Sequence, residues 1–256
     1  MHIHLPKPLH GWREFLGEVG IIVVGVLIAL AAEEALTELN WHRKAERGEA
    51  ALKREALESS QHYVEQLTVG PCIIAQIDEL RSKVLTSSGL KGIEVYDSKI
   101  GRQVIRTPSR DYASDVWTSL LTDGTAAHME DSRQHLTAQY YALLDELRRN
   151  LPETVTLQQK LLVLADPIAL DPQAKYEIFQ TLAQLRSRTA LQTLQATQSL
   201  AKLRDLGRLP PPETLEEEVN ASKKSGTVAV CTRRKLPLGN WRKDLAGEPV
   251  QVALSY

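Results

Sequence analysis

The sequence predicts an all-α protein: one N-terminal transmembrane helix continuing into an elongated antiparallel helical bundle, with a small irregular or β-hairpin C-terminal tail. Three observations predict it. The stretch Val19–Ala32 carries no polar side chain. Ala, Leu, Gln, Glu and Arg, all helix formers, dominate the middle of the chain. Aromatic residues make up only 5% of it, and Phe, Val and Ile are sparse after residue 40, which argues against a large sheet.

A bilayer core about 30 Å thick needs roughly 20 helical residues. Extending the apolar run to Phe15 and Leu36 reaches that length and places Glu18, Glu33 and Glu34 at its ends, where carboxylates cost less than at the bilayer centre. Trp12 and Trp41 flank the run, as interfacial anchors do. Two other readings compete. A buried core helix has a similar length. A cleaved signal peptide would use Lys7 and Arg13 as its basic lead and Ala29-Leu30-Ala31 as its cleavage pattern. Against cleavage, Glu14 and Glu18 acidify the lead, and Ala32–Leu36 continues as a helix former. The reading taken is an uncleaved anchor at 15–36, preceded by a polar lead at 1–14 that contains His2, His4 and His10. Gly25, Ala29 and Ala32 put small residues on one helical face, a pattern that permits helix association. Lys7 and Arg13 precede the segment, and Arg43, Lys44 and Arg47 follow it, so charge bias leaves the orientation open.

A helical domain is assigned to 37–208. Its first helix continues the anchor to Leu67, with Trp41, Ala45, Leu52, Ala56, Tyr63 and Leu67 on one face. Val69-Gly70-Pro71 reads as a break, and Cys72, Ile73, Ile77, Leu80 and Val84 mark a second helix, antiparallel to the first. Residues 86–110 form a long connection with a short strand at Ile93–Tyr96. Thr107 or Ser109 would cap a helix carrying Val116, Trp117, Leu120 and Leu121, ended by Asp123-Gly124. Asp131 would cap the next helix, whose apolar face is Leu136, Tyr140, Leu143, Leu147 and Leu151. Pro152 should kink or restart it. Asp171-Pro172 reads as an N-cap followed by proline at the first helical position. That helix runs to about Leu206 with Ile178, Leu182, Leu185, Leu191, Leu194 and Leu203 inward.

The remainder, 209–256, opens with Pro210-Pro-Pro212 and a short acidic helix at Glu213–Asn220. Thr227–Cys231 and Val250–Leu254 have β-type composition and would pair as a hairpin. Residues 221–256 carry seven Lys/Arg against two acids, so this is a basic tail.

Signals for chemistry are few. The net charge of −1 gives no global reason to expect nucleic acid. No glycine-rich phosphate loop, H-E-x-x-H or G-x-S-x-G is present. His128 and His135, with Glu130 or Asp131, are a conceivable metal pair, but paired surface histidines fit the pattern better. No catalytic residue, cofactor or metal is expected. Cys72 and Cys231 lie in no C-x-x-C; they are either inert buried thiols or a disulfide, which implies an oxidising compartment. Trp117, Tyr140 and Tyr141 are the candidates for a groove between helices, core packing being the alternative.

The anchor reads Gly17-Glu18-Val-Gly-Ile-Ile-Val-Val-Gly25 and is followed by Asn40-Trp41; Trp117-Thr-Ser-Leu-Leu-Thr-Asp-Gly124, Met129-Glu-Asp131 and Tyr140-Tyr141 come later. Over roughly 11–165 this combination resembles a bacterial single-pass membrane-anchored family of unknown function. That resemblance implies an anchored bundle in a bacterial inner membrane and no activity. The partners expected are the lipid bilayer and either a second copy or another membrane protein. The functional expectation is an anchored interaction or scaffold protein, its bulk domain assigned to the periplasm. An extracytoplasmic ligand-sensing bundle is the alternative, and an enzyme is disfavoured.

Overall fold

The computed structural model describes residues 11–98, 101–108, 110–224 and 226–245. Its dominant element is α1, Trp12–Thr86, a single helix of 75 residues, about 110 Å long at 1.5 Å per residue. Its apolar N-terminal stretch is long and apolar enough to cross a membrane, and none of that stretch is buried. Ala45 is the first buried residue of α1 among those described. Leu52, Ala56, Tyr63 and Leu67 follow, buried on one face as their spacing predicts.

The break expected at 69–71 does not form. α1 passes straight through Pro71, although proline there cannot donate to the Leu67 carbonyl. The C-terminal region fills the notch. Gly239 N–H donates to the Thr68 carbonyl at 2.8 Å, and a Cβ on Gly239 would stand 2.2 Å from the Leu67 oxygen. Gly70 is a point of close helix approach rather than a turn: a Cβ there would meet Thr193 Oγ1 at 2.9 Å. Val69, Cys72, Ile73 and Ile77 are buried on the same face, so packing carries the helix onward where local signals stop it.

The connection after α1 holds three short strands: β1 Gly89–Leu90, β2 Tyr96–Ser98 and β3 Gly101–Gln103. The strand expected at Ile93–Tyr96 is displaced, because the Ile93 N–H is taken by the Leu164 carbonyl at 2.9 Å. β2 pairs antiparallel with β3, matching Tyr96 with Gln103. Two side-chain amides hold the segment that follows. Gln76 of α1 accepts from the Arg106 N–H at 3.0 Å and donates to its carbonyl at 3.3 Å. Gln158 does the same at Ile105, at 3.4 and 2.7 Å. Each amide substitutes for a missing strand neighbour.

Helix α2, Asp115–Thr122, ends at Asp123-Gly124 as predicted, with Gly124 left-handed at φ 78°. Thr107 does not cap it: Thr107 is buried and accepts from Gln103 Nε2 at 2.8 Å. Ser109 lies outside the described residues. A 3₁₀ turn at Thr125–His128 leads to α3, Asp131–Leu161. Asp131 is the first helical residue rather than the cap, still favourable at the positive end of the helix dipole. Pro152 sits inside α3 without ending it. A second 3₁₀ turn, Leu162–Ala165, leads to β4, Ile168–Ala169, which pairs antiparallel with β1. Helix α4, Pro172–Asp205, begins as predicted, with Asp171 Oδ1 accepting from the Ala174 N–H at 2.8 Å.

Contacts along the helices set their directions. Arg208, just past α4, meets Glu49; Gln66 meets Thr193; and Lys175 reaches the Leu85 carbonyl. α4 therefore runs antiparallel to α1. It is antiparallel to α3 as well, through Lys202 with Gln139 and Gln195 with Glu146. Wedged between two partners, α3 buries a wider face than the predicted stripe. Tyr140 and Leu147 are buried, but so are Thr137, Tyr141 and Leu144, while Leu143 is only half-buried. On α4, Leu191 and Leu194 are 37% and 46% exposed, whereas Thr189, Thr193, Ala196 and Ser199 are buried. Small side chains let the helix backbones approach, and the leucines turn outward.

Two apolar clusters fill the interior. One joins Leu52, Tyr63 and Leu67 to Tyr140, Leu144, Leu200 and Leu203; the other joins Ile73, Ile77 and Val84 to Leu157, Leu161, Leu182 and Leu185. The C-terminal region belongs to both. The predicted acidic helix is α5, Pro212–Ser222. The hairpin is overturned: Thr227–Cys231 lies within helix α6, Gly226–Arg233, and Val250–Leu254 is outside the described residues. Helical spacing puts Val228 and Cys231 together in the second cluster. Helix α7, Trp241–Leu245, buries Trp241 in the first. Three tail arginines meet acids of the folded domain or of α5, as Arg233–Glu94, Arg234–Glu79 and Arg242–Glu216. Much of the expected basic character is thereby neutralised within the chain.

Candidate functional site

The apolar segment exposes Ile21, Ile22, Leu27, Ile28 and Leu30 by more than half each. Water opposes such a surface and a bilayer favours it. Gly25 meets nothing within 4 Å of where a Cβ would stand, and Ala29 and Ala32 are exposed beside it. The small-residue face is thus open in the single chain.

Trp117, Tyr140 and Tyr141 are core residues, not the wall of an open groove. They are 7%, 1% and 3% exposed. Trp117 stacks on Tyr141 with centroids 5.5 Å apart and planes 10° apart, and Tyr140 meets Tyr141 edge-on at 4.9 Å. Stacked rings fill the volume that a ligand would need. The polar tips are satisfied from α1: the Tyr141 hydroxyl donates to Glu55 Oε1, and the Tyr63 hydroxyl donates to the Tyr140 oxygen at 3.2 Å. Glu55 Oε2 also accepts from the Val116 N–H at 3.0 Å. One buried carboxylate of α1 therefore joins the start of α2 to α3. In the sequence Glu55 reads as one charge among many on a helix, and its neighbour Ala56 on the apolar face is the one signal that marks it.

Burial raises the pKa of the Tyr63, Tyr140 and Tyr141 hydroxyls, reinforced at Tyr141 by the Glu55 carboxylate. They stay protonated near neutral pH, and Tyr63 and Tyr141 act as hydrogen-bond donors rather than nucleophiles. Beside them, His62 is held neutral, its pKa lowered to about 4 by burial first and by the Arg110 charge second. Arg110 also pairs with the buried Glu65 at 2.6 Å. Tyr112 stacks on Tyr63 at 5.5 Å and meets His62 edge-on at 5.6 Å.

The structure brings Cys72 and Cys231 together as a disulfide that ties α6 to α1, and both are fully buried. It keeps His128 and His135 apart in role. His128 stacks on Trp41 at 4.2 Å, while His135 Nε2 meets Gln139 Nε2 at 2.7 Å. Among the described residues no group of three or more His, Cys, Asp or Glu could hold a metal ion. His2, His4 and His10 lie outside them.

Two concavities lie along the N-terminal half of α4. One, about 570 Å³, runs between α1 and α4 and is lined by Ile77, Arg81, Tyr176, Phe179 and Arg186 among others. Another, about 470 Å³, lies between α3 and α4 beside Glu153, Lys160 and Arg188. Both are open at the surface, and neither contains a convergent set of acid, base and nucleophile.

Compared with models of protein families, with characterised proteins and with solved structures, the chain matches none. The motif likeness at residues 11–165 is a likeness only.

Proposed function

We propose that this is a single-pass, membrane-anchored helical interaction or scaffold protein, self-associating through its anchor, with its helical domain on the periplasmic side of a bacterial inner membrane. One observation carries the reading: the helix bearing the exposed apolar segment is also the central helix of the folded domain. Anchor and core share one unbroken helix. A domain built this way is held at a set height and orientation over a bilayer, which suits the presentation of surfaces to partners. The domain is an elongated antiparallel bundle with its C-terminal helices folded back and bolted to α1. The buried disulfide favours an oxidising compartment, which supports the periplasmic side where charge bias leaves orientation open.

The sensing alternative loses its main support, because Trp117 and Tyr141 are buried and stacked on each other. Among the described residues an enzymatic reading has no constellation to rest on, since Glu55 and Glu65 are engaged with Tyr141 and Arg110.

Alkaline phosphatase and fluorescent-protein fusions at the C-terminus, with the mature N-terminus sequenced, test the reading. An active phosphatase, a dark fluorescent protein and an intact Met1 are expected. The reverse reporter pattern would place the domain in the cytoplasm. A chain beginning near Ala32 would show a cleaved signal and end the anchor reading.

A further inference from the structure

We infer that the turn between α2 and α3, Gly124–Met129, is a membrane-contact shoulder that rests in the phospholipid headgroup layer beside the anchor. The inference rests on the anchor reading above and adds a second point of contact with the bilayer.

The height of each part of the domain above the membrane can be read along α1, because the helix has no break between the apolar segment and the core. If the span ends at Leu36, Trp41 lies five residues further on, about 7.5 Å along the axis at 1.5 Å per residue. The headgroup layer of each leaflet is roughly 5–8 Å thick. Trp41 is therefore at headgroup level. His128 is stacked flat on it, with centroids 4.2 Å apart and planes 9° apart. The turn carrying His128 must sit at the same height.

Two further contacts give the slope of the shoulder. Asp123 pairs with Lys44 at 3.0 Å, eight residues past Leu36, or about 12 Å. Leu120 packs at Gly48, where a Cβ would meet its Cδ2 at 2.8 Å; that is twelve residues past Leu36, or about 18 Å. The surface thus descends from α2 towards Ala127 and His128, both exposed. Bilayer-spanning helices tilt by about 20° on average. A group some 10 Å from the axis then moves by roughly 3 Å, so tilt towards the turn sinks it into the headgroup layer and tilt away raises it to the layer's outer edge.

The chemistry suits that layer. Trp41 is an amphipathic ring of the type favoured between hydrocarbon and water, and His128 adds an apolar ring with a polar tip. Lys44 lies 4.8 Å from the Trp41 ring centroid and is paired with Asp123, and the nearby Glu46 is paired with His42 at 3.3 Å. Asp123 at the contact is therefore neutralised by Lys44 rather than presented bare to phosphate. Leu121, 53% exposed on the same flank, adds an apolar residue above the turn.

The test is depth measurement on the full chain in phosphatidylethanolamine–phosphatidylglycerol vesicles containing a headgroup nitroxide lipid or an acyl-chain nitroxide lipid. A single fluorescent label is placed on Ala127→Cys, on Leu85→Cys as a distal control, or on Val24→Cys within the anchor; all three sites are exposed, so the core is undisturbed. Headgroup nitroxide is expected to quench the label at 127 several-fold more than that at 85, with the label at 24 quenched from the acyl chains. Equal, weak quenching at 127 and 85, with 24 still quenched, would overturn the shoulder and leave the anchor intact. An unquenched label at 24 would overturn both. Cross-linking of Ala127→Cys chains to one another would show a second copy in place of lipid, and the shoulder would fail.

Discussion

Glu55 shows how much of this domain depends on single polar side chains. A buried carboxylate is tolerable only when hydrogen-bonded, and here the Tyr141 hydroxyl and the Val116 N–H do that. Tyr141→Phe keeps the ring stack on Trp117 but strips one donor from a buried charge. We expect a loss of about 1–3 kcal/mol, measured by urea unfolding; a change below a few tenths would show that water replaces the hydroxyl. His62 supplies a pH signature. Its folded pKa of about 4 lies below the ordinary value near 6.5, so the unfolded chain binds more protons between those limits. Stability contributed by the neutral ring is complete above pH 6.5 and falls as pH drops towards 4, by at most about 1.4 kcal/mol per unit. His62→Gln should flatten the stability–pH curve over that window relative to the native chain; parallel curves would assign the acid sensitivity elsewhere.

At the scale of elements, α1 is one helix because a later segment makes it so. Gly239 lies against the Leu67 carbonyl beside Pro71 with no room for a Cβ. Gly239→Ala should displace the 236–240 segment and cost roughly 1–3 kcal/mol, seen as faster amide exchange in α6 and α7 as well as in urea midpoints. Unchanged exchange there would mean the notch can widen freely. The other end of α1 makes a separate prediction. Gly25, Ala29 and Ala32 are open in the single chain, and if they form a helix–helix face, Gly25→Leu should weaken self-association in a membrane dimerisation reporter. An unchanged signal would remove that face from consideration. Neither effect could be read from helix propensity, which treats Pro71 as a terminator and Gly25 as a mild cost.

For the whole molecule, the Cys72–Cys231 bridge spans a sequence separation of 159 and locks the C-terminal helices onto the middle of α1. Loops this long have a large closure entropy, worth about 4–5 kcal/mol in the chain-entropy model. Removing the bridge, by Cys231→Ala or by dithiothreitol, should cost about 2–5 kcal/mol. Comparison of urea unfolding under oxidising and reducing conditions checks this, and mass spectrometry of unreduced protein should find the cross-linked peptide. Free thiols at both positions would refute the bridge.

Nearest neighbours along the chain encode a long apolar helix, the cap at Asp171, the stop at Asp123-Gly124 and the short acidic helix α5. Periodicity over a few turns also placed Leu52, Tyr63, Tyr140 and Leu182 in the core. The remaining features come from contacts between segments distant in sequence. Pro71 is spanned because residues near 239 pack against it. Thr227–Cys231 is helical because Val228 and Cys231 must face the same cluster. Leu191 and Leu194 point outward because α1 and α4 meet through threonine, alanine and glycine. Trp117 and Tyr141 fill their space instead of lining a groove, because Glu55, far away in sequence, draws α2 and α3 onto α1. In each case contacts between distant segments outweigh a local preference of about one to a few kcal/mol, and such contacts leave no periodic trace in a single chain.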